Sequence, residues 1–362
     1  MSRPNPRPKV SVVIPSYNRG EFIEETLDSV LSQSFKDFEV IFIDDGSTDN
    51  TEEIVSKFAS KDYRIKYFKQ KNSERAVART HGLNLAIGEY VCLVDSDDIW
   101  KENKLEKQVQ VLDLNPDVIF CCAAVDRIDM KGKPVKAAPR QHEGHSGFVF
   151  YKLLERNFIP SVTPMFRKEI VEKVGQQITD FIPYEDWDFW LRISRLGKFH
   201  HIREPLGHYR LHPGQSVQNV QAEKIEDVTL KVLDANTDPE GINFKYFYKV
   251  SKDSRKVEEQ EQMNAAFSTL TNFLEEELGE EYQEELVKFQ EVTDNAYSLA
   301  FLRLGYWYIL AGKNKEARER LKKSWDICPK RKTDIRWYGL FCISFVQPIL
   351  PGFVKSLLGS FH

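Results

Sequence analysis

Short apolar runs alternate with helical patterns along the first third of the chain. The runs are nearly continuous in apolar residues, as is typical of strands covered on both faces. After the first run, the segment EFIEETLDSVLSQSF places Phe22, Ile23 and Leu27 on one face of a predicted helix. This repetition predicts an α/β fold with a mostly parallel sheet and helices on both faces. The predicted strands are residues 10–15, 38–44, 65–69, 90–95 and 117–125, and the further helices are residues 51–59, 75–87 and 102–113.

Polar clusters follow three of these predicted strands. Residues 15–18 read PSYN, residues 44–49 read DDGSTD and residues 95–98 read DSDD. The loops at the carboxyl ends of parallel strands meet at one edge of the sheet, which is where ligands bind. We therefore expect the three loops to surround one cleft.

The chain becomes helix-rich from about residue 220. Residues 297–328 predict two amphipathic helices joined at residues 311–314, a pattern similar to a single tetratricopeptide hairpin. One such unit is too few for a solenoid. We expect an α/β domain of residues 1–220, a helical domain of residues 221–332 and an apolar tail of residues 333–362.

A basic segment lies beside the apolar tail. Between residues 313 and 336 there are ten Lys or Arg against four Asp or Glu, a local charge of +6. Pro348 and Pro351 interrupt the apolar stretch well short of the roughly 20 residues that a membrane span needs. Basic and aromatic residues together fit a helix that lies in an anionic membrane surface. Packing of the tail on the protein's own helices explains the pattern equally well.

Composition narrows the class of protein. With 41% hydrophobic residues, 29% charged residues and a formal net charge of −4, the chain resembles an ordinary globular protein and not a nucleic-acid binder. The five cysteines show no C-x-x-C spacing, which predicts buried thiols in a reducing compartment. The first ten residues lack the apolar run of a signal peptide. We expect a cytoplasmic protein, with peripheral contact to the inner membrane face if the tail docks there.

The acidic cluster after the fourth strand needs a positive partner. Asp95, Asp97 and Asp98 stand within four positions, and hard divalent ions such as Mg²⁺ or Mn²⁺ bind carboxylates together with substrate phosphates. An EF-hand is excluded because Ile99 and Trp100 stand where a ligand and the obligatory glycine would be. The alternative is a solvated turn in which Asp98 caps the following helix.

Glycine-rich phosphate loops are missing from the sequence. It contains neither G-x-G-x-x-G after the first strand nor GxxxxGK[ST]. The loop of residues 15–18 instead offers an aromatic face on which a base can stack. Asp44 and Asp45 could accept hydrogen bonds from a base N–H or a ribose hydroxyl. Ordinary turns and helix caps are the alternative for both loops.

Four ordered segments carry a family resemblance. They are PSYNRGEFIEETLDSVLSQSFKDFEVIFIDDGSTDNT, KNSERAVARTHGLNLAIGEYVCLVDSDD, YEDWDFWLRI and HYRLHPGQSV. Together they closely resemble the family 2 glycosyltransferases of the GT-A fold, from about residue 9 to about residue 215. The resemblance implies that Pro15 and Tyr17 line a nucleotide pocket, that Asp45 bonds the base, and that Arg79 lies near the base and diphosphate.

The resemblance also implies a metal site and a catalytic base. Asp97 corresponds to the ligand of a Mn²⁺ or Mg²⁺ cofactor, with Asp95 nearer the sugar or ribose. Asp186 corresponds to the catalytic base, and His212 to a histidine that in some members reaches the metal or diphosphate. The chain departs from the family where many members carry N-G-G, because residues 72–75 read NSER here.

The function implied by the resemblance is inverting sugar transfer. The expected donor is a nucleotide-diphosphate sugar, UDP-linked, and the expected acceptor is a hydroxyl of a glycan or lipid-linked glycan in cell-surface polysaccharide synthesis. One alternative is a nucleotidyltransferase acting on sugar phosphates, which would need a glycine-rich, lysine-bearing loop where PSYN stands. The other is a non-catalytic scaffold that binds nucleotide sugars.

Overall fold

The computed structural model describes residues 7–135, 143–175, 177–215, 220–237, 280–311 and 313–328. The chain divides into two compact units, one of residues 1–153 with 157–219 and the other of residues 154–156 with 220–362. The apolar tail predicted at residues 333–362, and its contact with a membrane, lie outside the described residues. Within the described ranges, no helix is both long and apolar enough to span a bilayer.

The first unit is built on one eight-stranded sheet. Its strands are β1 (Val10–Ser16), β2 (Phe38–Asp44), β3 (Ile65–Lys69), β4 (Tyr90–Leu93), β5 (Ile99–Trp100), β6 (Val118–Ile128), β7 (Met165–Arg167) and β8 (Lys198–Arg210). The helices in this part of the chain are α1 (Ile23–Leu31), α2 (Thr51–Lys61), α3 (Arg75–Leu85), α4 (Lys104–Leu114), α5 (Phe150–Glu155), α6 (Glu169–Val174) and α7 (Glu185–Ser194), with a 3-10 turn at Thr179–Phe181.

The strands lie in the order β3-β2-β1-β4-β7-β6-β8-β5. The first four are mutually parallel, β7 is antiparallel to both of its neighbours, and β6 and β8 pair in parallel. The α/β fold predicted from the strand-helix repetition is therefore confirmed, although the sheet is mixed beyond β4. Strand β8 ends at Arg210 and so includes the segment HYR.

The core explains why the strands read as continuous apolar runs. Every residue of β1 and β2 is buried, because helices cover both faces of the sheet. Helix α3 approaches β1 closely at Gly82, where an added Cβ would lie 2.2 Å from the Cγ1 atom of Val13. A glycine is needed at this point for the helix to reach its position on the sheet.

The second unit is helical where it is described. Helices α8 (Ala222–Thr237), α9 (Glu280–Leu310) and α10 (Asn314–Ile327) account for most of its described residues. Helices α9 and α10 pack closely at Gly305, where a Cβ would lie 2.6 Å from Cγ of Leu321. Arg320 and Tyr308 both contact the carboxylate of Glu226 on α8. The likeness to a tetratricopeptide unit stays a prediction.

The contact between α3 and β1 can be tested by a mutant cycle. We expect Gly82→Ala to destabilise the protein, since overpacking costs about 1–3 kcal/mol while alanine restores about 1 kcal/mol of helix propensity. Val13→Ala removes the clashing methyl group, so Gly82→Ala should cost less in that background. Urea unfolding of the four proteins measures the interaction energy, and purely additive effects would contradict the close contact.

Candidate active site

The carboxyl ends of β1, β2 and β4 lie side by side. Ser16 pairs with Asp44 in the sheet register, and the amide of Asp45 donates to the carbonyl of Ser16 at 2.8 Å. On the other side, Val94 continues the pairing of β4 by donating to the carbonyl of Val13 at 3.2 Å. The three polar loops of the sequence therefore meet at one edge of the sheet, as predicted.

Hydrogen bonds from the segment of residues 70–74 hold Asp45 in place. Its Oδ1 atom accepts the side-chain amide of Gln70 at 2.7 Å and the backbone amide of Ser73 at 2.9 Å. The Oε1 atom of Gln70 lies 2.7 Å from Nδ1 of His81, which orients the amide group toward Asp45. Burial raises the pKa of Asp45 above its ordinary value, against these hydrogen bonds. Nearby, Pro15 is buried and Tyr17 is 45% exposed.

The neighbouring Asp44 has a different role. It is fully buried, and its two oxygens accept the amide of Ser47 at 2.7 Å and the hydroxyl of Tyr67 at 2.6 Å. Both oxygens are thus engaged inside the protein. Of the two aspartates that the sequence offers for base recognition, Asp45 remains the candidate, because both oxygens of Asp44 already accept hydrogen bonds within the protein.

Arg79 joins two segments that are distant in sequence. Its guanidinium contacts Oδ1 of Asp95 at 2.5 Å and Oε1 of Glu185 at 2.9 Å. Burial by itself raises the pKa of Asp95, but the charge and hydrogen bond of Arg79 hold that pKa below its ordinary value. Arg79 therefore places the loop after β4 and the start of α7 at the same cleft.

Glu185 receives a second arginine that the sequence did not identify. Arg75, the first residue of α3, lies with Nε 2.5 Å from Oε1 of Glu185 and donates from Nη2 to Oε2 at 2.9 Å. Arg75 also donates to the carbonyl of Pro183 at 2.8 Å. Glu185 is 1% exposed, so both arginines contact a buried charge. The signal for Arg75 was the departure from N-G-G.

Asp186 follows Glu185 in the first turn of α7. Acids in this turn are favoured by the positive end of the helix dipole. Oδ1 of Asp186 accepts the backbone amide of Trp187 at 2.7 Å, and Nδ2 of Asn157 lies 3.4 Å from Oδ2. Burial and the charge of Glu185 raise the pKa of Asp186 to about 6, against Arg79 and Arg75. A carboxylate with this pKa can accept a proton near neutral pH.

Asp97 and His212 come together although they are far apart in sequence. Nε2 of His212 lies 2.9 Å from Oδ2 of Asp97, and the histidine is 5% exposed, with its ring against Phe22. The amide of Gly214 donates to Nδ1 of His212 at 3.2 Å. Since Nδ1 accepts a hydrogen bond, Nε2 carries the proton that faces Asp97 in this arrangement.

The same oxygen of Asp97 also meets an arginine. Nε of Arg19 lies 3.3 Å from Oδ2 of Asp97, and Nη2 of Arg19 donates to the carbonyl of Gly214 at 3.2 Å. Arg19 thus bridges the loop after β1 and the loop after β8. The sequence did not identify this bridge.

The residues present fit a divalent ion shared with a substrate. Asp97 offers a carboxylate and His212 an imidazole, which Mn²⁺ or Mg²⁺ can combine with phosphate oxygens. Among the described residues, no group of three or more His, Cys, Asp or Glu side chains could hold an ion on its own. Phosphate or water would have to complete the coordination.

Asp98 is not a helix cap, contrary to the alternative considered from the sequence. Its Oδ1 atom accepts the backbone amide of Arg210 on β8 at 3.0 Å, and β5 lies between Asp98 and α4. Arg210 is 1% exposed and donates from Nε to the carbonyl of Asp97 at 2.9 Å. Together these contacts attach the acidic loop to the end of β8, next to His212.

Glu74 has a backbone conformation that normally requires glycine. Its dihedral angles are φ 75° and ψ 150°, a region that is almost confined to glycine. A glutamate in this conformation is strained, and the strain lies immediately before Arg75.

We expect Glu74→Gly to stabilise the protein by about 1 kcal/mol, because relief of about 1–3 kcal/mol of strain exceeds the added freedom of the unfolded chain. Ser73→Gly is the control and should destabilise slightly. The measurement is thermal or urea unfolding. A loss of stability in Glu74→Gly would contradict the strain.

Comparisons with known proteins identify relatives of this chain. A family model described as "Glycosyl transferase family 2" matches residues 11–175. The putative teichuronic acid biosynthesis glycosyltransferase TuaG of Bacillus subtilis is 34% identical over 210 residues, which cover 57% of this chain and 81% of that protein. The amylovoran biosynthesis glycosyltransferase AmsB of Erwinia amylovora is 32% identical over 223 residues, covering 58% of this chain and 74% of that protein.

Other similarities are shorter or more distant. An uncharacterized glycosyltransferase of Rickettsia felis is 42% identical over 148 residues, which are 41% of this chain and 24% of that protein, so this chain spans about a quarter of its length. The crystal structure of S. aureus TarS 1-349 in complex with UDP matches with a TM-score of 0.52 and 19% identity, covering 88% of this chain and 90% of that one. At that identity the match establishes the shared fold.

Proposed function

Because this chain belongs to the family 2 glycosyltransferases, we propose that it transfers a sugar from a nucleotide-diphosphate donor to a hydroxyl group of a glycan or lipid-linked glycan, with inversion at the anomeric carbon. The observation that carries the proposal is the contact of Arg79 with both Asp95 and Glu185. It brings the loop expected to bind the donor to the same cleft as the expected base. The names of the relatives TuaG and AmsB support a role in cell-surface polysaccharide synthesis.

Asp186 is the proposed catalytic base. Its carboxylate takes the proton from the acceptor hydroxyl while that oxygen attacks the anomeric carbon and the bond to the diphosphate breaks. A single displacement from the face opposite the diphosphate inverts the configuration. The hydrogen bond with the amide of Trp187 leaves Oδ2, beside Asn157, as the oxygen that would receive the proton.

The donor nucleotide is proposed to lie between Tyr17 and Asp45. The ring of Tyr17 is exposed, so a base can stack on it, and a carboxylate at Asp45 can accept the N3–H group of uracil. Guanine also presents an N–H group to such an acceptor, which makes GDP the natural comparison in a binding experiment. A uridine donor is the form that we propose.

Asp97 and His212 would hold Mn²⁺ or Mg²⁺ together with the donor diphosphate. The ion would supply positive charge that stabilises the diphosphate as it leaves. Binding at Nε2 of His212 would require its proton to move to Nδ1, which would break the hydrogen bond from Gly214. Arg19 already contributes positive charge beside Asp97 and lies where it can also bind phosphate oxygens.

Asp186→Asn tests the base. We expect kcat to fall by about 10²- to 10⁴-fold, the usual contribution of general-base catalysis, while UDP binding stays unchanged. In the wild-type enzyme kcat/KM should rise with pH through about 6, because Asp186 must be deprotonated to act. The measurement is sugar transfer from UDP-linked donors to polysaccharide or lipid-linked acceptors.

Asp188→Asn is the control for that substitution, since Asp188 is on the same helix but pairs with Arg192. This substitution should lower the free energy of unfolding and leave the pH dependence of kcat/KM unchanged. Full turnover by Asp186→Asn would overturn the role of Asp186.

Nucleotide and metal binding can be tested together by thermal shift. With Mn²⁺ present, UDP at one hundred times its dissociation constant should stabilise the wild-type protein by about 2.7 kcal/mol, and GDP at the same concentration should stabilise it less. Asp97→Asn and His212→Ala should remove the contribution of Mn²⁺, because each loses one proposed ligand.

The control is Asp117→Asn, which removes an exposed carboxylate paired with Lys198. It should respond to Mn²⁺ and UDP as the wild type does. An undiminished Mn²⁺ effect in Asp97→Asn would exclude this metal site, and a larger shift with GDP would exclude the uridine donor.

A further inference from the structure

The ion pair of Arg75 and Glu185 has no part in the chemistry described so far. Neither residue is proposed to touch the donor, the metal or the transferred proton. Glu185 is nevertheless buried and in contact with two arginines of α3, and Arg75 also bonds the carbonyl of Pro183 just before α7. Two arginines of α3 thereby contact the first residue of α7, and one of them also contacts the segment just before that helix.

Local stability alone does not account for Arg75. A cation in the first turn of a helix is opposed by the positive end of the helix dipole. The preceding Glu74 has a strained backbone, and a buried carboxylate such as Glu185 is expensive to desolvate. Three unfavourable features thus coincide beside Asp186, and strain of this kind is typical of functional sites.

We propose that Arg75 and Glu185 are positioning residues, which attach the start of α7, and with it Asp186, to the donor-binding loop through Arg79 and Asp95. This inference rests on the proposed function of Asp186 as the base. Arg79 forms the connection to Asp95. Arg75 contacts Glu185 as well and donates a hydrogen bond to the carbonyl of Pro183.

The pair also has opposite electrostatic effects on Asp186. The charged groups with the largest effects on this carboxylate are Glu185, which favours its protonated form, and Arg79 and Arg75, which favour its ionised form. The neighbouring Asn157 is neutral. Loss of Glu185 and loss of Arg75 must therefore move the titration of Asp186 in opposite directions, which mere structural damage would not do.

The titration of Asp186 can be measured without substrate. Folded Asp186 keeps its proton up to about pH 6, whereas an unfolded aspartate releases it near pH 3.9. Between these two pH values the folded state therefore binds more protons than the unfolded state. The contribution of Asp186 to the free energy of unfolding falls as pH rises and becomes constant above about pH 6. Urea unfolding of the full chain from pH 4 to 8, with and without Asp186→Asn, isolates this contribution.

The test repeats this pair of measurements in Glu185→Gln and Arg75→Met. We call the pH above which the contribution of Asp186 is constant the levelling point. We expect it to move to lower pH in Glu185→Gln and to higher pH in Arg75→Met. Arg75→Lys keeps the charge and should leave it near its wild-type position. If Glu185→Gln does not fold, Arg75→Met and Arg75→Lys still decide the outcome.

Arg192→Met is the matched control, because Arg192 pairs with the buried Asp188 on the same helix. It should lower stability without moving the levelling point. Shifts in the same direction in Glu185→Gln and Arg75→Met, or equal shifts in Arg75→Met and Arg192→Met, would overturn the inference.

A kinetic measurement tests the positioning itself. With a donor that is turned over, Arg75→Met should lower kcat by about 10²-fold, the effect expected of a displacement of about 1 Å, and change KM for the donor little. Arg75→Lys should recover part of kcat. Unchanged kcat in Arg75→Met would overturn the positioning role, whereas an active Asp186→Asn enzyme would instead overturn the proposed function.

Discussion

The site depends on the two ion pairs that the buried guanidinium of Arg79 forms. Arg79 contacts Asp95 at the end of β4 and Glu185 at the start of α7, and it is itself only 5% exposed. A charge buried to this degree must be paired, so the loop and the helix cannot separate without leaving it uncompensated. The position of Arg79 depends in turn on the close approach of α3 to β1 at Gly82. Packing in the sheet thereby determines the geometry of the site.

The antiparallel direction of one strand brings further residues of the site to the edge of the sheet where the polar loops lie. Because β7 is antiparallel to β4, the residues that precede β7 lie beside the carboxyl end of β4, where Leu93 donates to the carbonyl of Pro164. In this segment Ser161 hydrogen-bonds Asp95 and Asn157 lies beside Asp186. A wholly parallel continuation would have placed them at the opposite edge. The antiparallel strand that the sequence pattern did not predict is therefore what closes the cleft.

Local sequence patterns predicted the local structure well and the long-range partners poorly. The α/β class follows from strands that read as continuous apolar runs, and both β1 and β2 are buried along their whole length. The family resemblance pointed to Arg79 and Asp186, yet no periodicity indicates that Arg75 meets Glu185 across 110 positions or that Arg210 meets Asp97 across 113. Such pairs depend on how strands are ordered in the sheet. The sequence showed only a departure from N-G-G at residues 72–75, and the structure adds that Glu74 there has a backbone conformation that glycine normally adopts.

One arginine leaves two aspartates with opposite tendencies to bind a proton. Arg79 contacts Asp95 directly at 2.5 Å, so its charge outweighs burial and keeps Asp95 ionised. For Asp186 the balance is reversed, because burial and the charge of Glu185 together raise its pKa more than Arg79 and Arg75 lower it. The cleft thus separates a carboxylate that stays negative from one that exchanges a proton near pH 6. Glu185, whose charge contributes to this separation, is buried and contacts both Arg75 and Arg79, so the two arginines and the two carboxylates form one connected group.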